Sequence, residues 1–128
     1  MGAWGIHFDE CDGSLDFLGD VEESRDWADV DTRVRDYLAN GGYDDAEEAL
    51  AASELVAAAL GRPSPRLKPE LAAWAAEHSG EAQRLQPDAV KAAKLVLDAS
   101  ELNELWAEAD EGEDWRKTVE DLLGRLGA

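Results

Sequence analysis

With 128 residues, 45% of them apolar and five of them tryptophan, the chain is long enough to bury a core of its own as one domain and is not a disordered tail. Thirty acids against twelve bases give a net charge of −18, which opposes phosphate backbones and anionic membrane surfaces, so direct nucleic-acid or membrane binding is not expected. One cysteine, Cys11, excludes an internal disulfide and suits a reducing compartment.

Alanine occurs 22 times, isoleucine and threonine are scarce, and no stretch of five or more alternates at period two. The expected fold is all-α: one helical domain over 1–128, a compact bundle of six or seven short helices around a central alanine-rich helix at about 45–60.

The opening MGAWG sets Trp4 between two glycines. Trp4 is expected to staple this segment beside the central helix, with Gly2 and Gly5 permitting close backbone approach. An acidic turn, DECDG, then leads into SLDFLGDVEE (14–23), with Leu15, Leu18 and Val21 on one side. SRDWADVDTRVRDYLAN follows, with Trp27, Val30, Val34 and Leu38 at helical spacing, and NGGY (40–43) stops it. Asp44 with Glu47 forms a capping pattern that opens DDAEEALAASELVAAALG, closed by Gly61. This helix is apolar nearly all round, which marks it as buried. Glu54 is its only charge from Ala49 to Leu60 and sits at the margin of the apolar stripe, so partial exposure is expected, with hydrogen bonds from the N-terminal segment or its amine.

The connector RPSPRLKP ends in Pro69, placed to start PELAAWAAEHSG with the stripe Leu71, Trp74, Ala75 and His78. Pro87 repeats the device for PDAVKAAKLVLDA. SELNELWAEADEG carries Leu102, Leu105, Trp106 and Ala109, either as its own helix or as a continuation. Last, EDWRKTVEDLLGRLGA shows an apolar face of Trp115, Val119, Leu122, Leu123 and Leu126.

Chemistry-bearing patterns are few. Neither register of an EF-hand loop around Gly13 or Gly19 supplies its oxygen ligands. A looser divalent site from Asp9, Glu10, Asp12 and Asp16 is the weaker reading beside a solvated, acid-rich helix start. His7 and Cys11 lack the local signature of a nucleophile pair, and His78 suits a cation near a helix C-terminus. No phosphate-binding glycine loop or nucleophile elbow is present, so no catalytic residue and no cofactor are expected. Trp4, Trp27, Trp74, Trp106 and Trp115 are expected to pack in the core. Trp27 is the candidate partner anchor, and Trp4, Glu54 and Trp106 are structural or possible site residues.

Charge is uneven along the chain. Residues 1–50 hold fifteen acids against three bases, a net of −12; residues 51–100 hold six of each, and residues 101–128 hold nine against three, a net of −6. With no apolar run long enough for a leader or a membrane span, a soluble cytoplasmic protein is expected.

MGAWG, the turn F-D-E-C-D running into L-D-F-L, AASELVAAALGRP, SELNELW and DWR together resemble an uncharacterised bacterial family, domain of unknown function 4259, over essentially the whole chain. Glu10 and Cys11 stand where that family's turn carries an Asn-Asp pair. The resemblance implies no activity, substrate or cofactor. Charge and missing catalytic motifs lead to the expected function: a non-enzymatic acidic binding protein, immunity- or inhibitor-type, capturing a basic protein partner through Asp12, Asp16, Asp20 and Trp27. The alternative is a small metal-binding protein or enzyme using the acidic N-terminal turn.

Overall fold

From Ala49 to Ala59 every residue is buried, and the rest of the chain is arranged around that run. The computed structural model describes residues 7–10, 12–40, 46–99 and 112–127. These form α1 (Asp12–Ser24), α2 (Trp27–Ala39), α3 (Ala46–Ala59), α4 (Pro69–Ala76), α5 (Ser79–Ala99) and α6 (Gly112–Leu126), with no strand among the described residues. The all-α expectation holds, and so does the central position of the alanine-rich helix. α3 packs against α1, α2, α4, α5 and α6, while α5 also packs on α2 and α6. Small side chains on α3 make this crowding possible, because the distance between packed helices follows the side chains at the contact.

Helix ends follow local chemistry. Gly61, at φ 91°, ends α3 with Arg62 N–H donating to the Ala57 carbonyl (2.9 Å) and Gly61 N–H to that of Ala58 (3.0 Å). This pair of bonds is a Schellman motif, which favours glycine at the left-handed position. Asp26 caps α2 by accepting from the Ala28 N–H at 3.0 Å. Pro69 opens α4 as its sequence position suggests. Pro87 does not open a helix: it lies inside α5, eight residues past Ser79. Pro87 and Gln83, whose carbonyl loses its usual donor there, are both exposed, so the missing bond falls on the solvent side of the helix.

Two inward faces differ from the expected ones. On α1 the buried set is Ser14, Phe17, Leu18 and Val21, and Leu15 is 41% exposed. Ser14 earns its inward place by a bond, its hydroxyl donating to the Glu47 carbonyl at 2.9 Å and tying α1 to the start of α3. On α2, Tyr37 is buried beside Trp27, Val30 and Val34, while Leu38 is half-buried. The Tyr37 hydroxyl has no hydrogen-bond partner among the described residues, and burial pushes the phenol up to about 12. α6 buries Trp115, Val119, Leu122 and Leu126 as expected, with Leu123 half-buried. Its end is held by Gln86, whose side-chain amide donates to the Leu126 carbonyl at 2.8 Å.

Among the described residues no helix is long and apolar enough to cross a membrane. Trp4, Asp44, Trp106 and the question of one helix or two across 100–111 lie outside the described residues.

Candidate functional site

Asp12, Asp16 and Asp20 follow one another at i, i+4 and i+8 on α1, which puts them on one side of the helix, and all three are exposed. Glu23 extends the same exposed side. None of the four has an ion-pair partner among the described residues. Leu15 lies between Asp12 and Asp16 and is the one large apolar side chain exposed among the described residues.

The neighbouring acids are committed elsewhere. Arg66, in the α3–α4 connector, donates through Nε to Asp9 Oδ1 at 2.7 Å and lies 3.5 Å from Glu10 Oε1. Lys68 holds Glu22 at 3.1 Å near the other end of α1. These two of the connector's three cations thus engage acids just before α1 and near its end, and leave its outer side bare. The proposed divalent ligands are divided by this arrangement: Asp9 and Glu10 turn to Arg66, while Asp12 and Asp16 sit on the exposed helix. Among the described residues no group of three or more His, Cys, Asp or Glu is placed to hold a metal. The His7 backbone N–H donates to Glu10 Oε1 at 3.3 Å, and Cys11 lies outside the described residues.

Trp27 does not belong to this surface. It is 4% exposed and packs at the junction of α2, α4 and α5. The His78 ring stacks on it (centroids 5.4 Å apart, planes 16° apart), and Trp74 lies 5.9 Å from Trp27 and 4.9 Å from His78. His78, just past the end of α4, also places Nδ1 2.7 Å from Glu81 Oε1. As the first residue of α2, Trp27 is turned inward by the same face that buries Val30 and Val34. Trp74 and Trp115 are buried too, in keeping with the core role expected of the tryptophans.

Glu54 is also a correction. It is 4% exposed, not partly exposed, and the expected donor, the segment 1–6, lies outside the described residues. Arg125 of α6 reaches it with two parallel bonds, Nη1 to Oε1 at 2.7 Å and Nη2 to Oε2 at 3.1 Å. The same guanidinium donates through Nε to Asp121 at 2.8 Å, and Arg62 and Arg125 each donate to the other's carbonyl at 3.4 Å. Burial holds the Glu54 carboxyl above the usual carboxylate range; Arg125 pulls it back, while Asp121 and Asp9 add to the upward push. With both oxygens occupied, Glu54 acts as a strut between α3 and α6. The one sequence signal for this pair is an arginine in the last turn of α6, flanked by the inward residues Leu122 and Leu126.

Residues 2–118 match the family described as Domain of unknown function (DUF4259). No curated protein and no solved structure matches the chain.

Proposed function

The chain belongs to the DUF4259 family, whose description carries no activity, and we propose that it is a non-enzymatic acidic binding protein of immunity or inhibitor type that captures a basic protein partner in the cytoplasm. The observation that supports this reading is the outer side of α1, where Asp12, Asp16 and Asp20 stand exposed and without counter-ions among the described residues. Charges left unpaired on a surface act chiefly on encounter: they steer an oppositely charged partner and raise the association rate. Leu15, at the edge of this row, offers the apolar contact that a charged rim alone lacks.

The test starts from a basic partner isolated by affinity capture from the native cell. Asp12→Asn/Asp16→Asn/Asp20→Asn should slow its association more than Asp110→Asn/Glu111→Gln/Glu113→Gln, and dissociation should change less than association. For the unaltered chain the association rate should fall as salt rises. Failure to recover a basic partner, or an association rate indifferent to salt, rejects the reading.

A further inference from the structure

Cations are scarce in this chain, and five of the twelve form ion pairs among the described residues: Arg33 with Glu48, Arg35 with Asp31 and Asp88, Arg66 with Asp9 and Glu10, Lys68 with Glu22, and Arg125 with Glu54 and Asp121. Arg84, Lys91 and Lys94 stand together on one helix. All three are exposed on α5 and have no ion-pair partner among the described residues. At 100° per residue they fall on one outward stripe of that helix, about 15 Å long at 1.5 Å per residue. Asp88, beside the stripe, lies within reach of Arg35 (3.9 Å), and Asp98 closes it one turn beyond Lys94. A protein of net charge −18 thus carries a basic stripe whose three cations have no ion-pair partner among the described residues.

We propose that this stripe on α5 is a docking surface for the acidic outer side of α1 on a second copy of the chain. The match is one of sign and length. Asp12 to Glu23 spans about 16 Å of α1, against about 15 Å for Arg84 to Lys94. Within one copy the two sides do not satisfy each other: α1 and α5 both pack on α3, and α2 contacts both of them. Net repulsion between copies does not forbid the contact at physiological ionic strength. The screening length there is about 8 Å, so charges on the far sides of the two molecules are damped while those in the contact are not. Exposed ion pairs are each weak, so the association is weak and concentration-dependent. The inference goes beyond the proposed function. It is tested on the purified chain alone, so its failure is distinct from failure to find a basic partner.

The distinguishing signature is a bell-shaped salt dependence. In sedimentation velocity over a range of protein concentrations, the average mass should rise with concentration at about 0.15 M salt. It should stay monomeric at about 0.01 M, where the screening length of about 30 Å lets whole-molecule repulsion dominate, and at about 1 M, where about 3 Å of screening removes the pairs. Asp12→Lys/Asp16→Lys/Asp20→Lys and Arg84→Glu/Lys91→Glu/Lys94→Glu should each weaken association by about tenfold or more. Mixing the two variants should restore it, because each then presents the side the other lacks. Glu113→Lys/Glu120→Lys, on exposed positions of α6, should leave it in place. A monomer at every salt concentration overturns the proposal. So does association that survives the α5 variant, or a mixture of variants that stays monomeric.

Discussion

Asp16 on α1 stands exposed without a counter-ion among the described residues, whereas Glu54 on α3 is 4% exposed and held through both oxygens by Arg125. Both are carboxylates, yet their surroundings give them opposite tasks. A charge in water is already solvated, so the fold gains little from it and it stays available to another molecule. A charge taken out of water must be matched inside, and once matched it is committed to the fold. The acids of this chain therefore divide between a side kept free and an interior strut.

The largest expected effect comes from leaving the interior carboxylate unmatched. Arg125→Ala should cost about 3–5 kcal/mol in urea denaturation, because it strands a buried charge. Glu54→Leu/Arg125→Met should recover most of that loss, since an apolar pair of similar volume has no charge to desolvate. Asp12→Asn/Asp16→Asn/Asp20→Asn should stay within about 0.5 kcal/mol of the unaltered chain. An Arg125→Ala variant as stable as the unaltered chain would remove the basis of the contrast.

The same contrast applies to two apolar side chains. Trp27→Ala should cost about 3–5 kcal/mol, as for other buried aromatics reduced to alanine. Leu15→Ala, on the exposed side of α1, should cost no more than about 0.5 kcal/mol. Thermal melts of both variants decide it; equal losses would mean that α1 and α2 are buried to similar depth at these positions.

The smallest effect concerns pH and the buried carboxylate. Burial raises the Glu54 carboxyl, so its stabilising contribution is complete below the unfolded-state value of about 4.3 and is lost as pH rises through the higher folded-state value. The stability of the unaltered chain relative to Glu54→Gln should then fall from mildly acidic to neutral pH. Urea midpoints for the two proteins across that range measure the difference. A flat difference would mean that burial does not raise the Glu54 carboxyl.

Much of the fold is legible from local pattern. The run from Ala49 to Ala59, free of charge except at Glu54, marks the central helix, and Gly61 and Pro69 set boundaries where the structure has them. Pro87 misleads because a proline signals a first turn only when the preceding residues are not already helical, and here α5 begins at Ser79. Leu15 and Phe17 compete for one helix face, and hydropathy alone favours neither; Ser14 settles the register by bonding to the Glu47 carbonyl on another helix. The acids of α1 are readable as an exposed row from their i, i+4, i+8 spacing, but not the way Arg66 and Lys68 draw off Asp9, Glu10 and Glu22.

Helix content, the ends marked by Gly61 and Pro69 and the sign of the charge follow from the chain itself, because periodicity, caps and stop residues act over a few neighbours. Which acid is enclosed and which is left free is decided by tertiary structure. Glu54 meets Arg125 across 71 positions of sequence, and Asp9 meets Arg66 across 57. Pairs that far apart leave no periodic trace, since only the packing of α6 and of the α3–α4 connector against their neighbours brings the two charges within reach of a hydrogen bond.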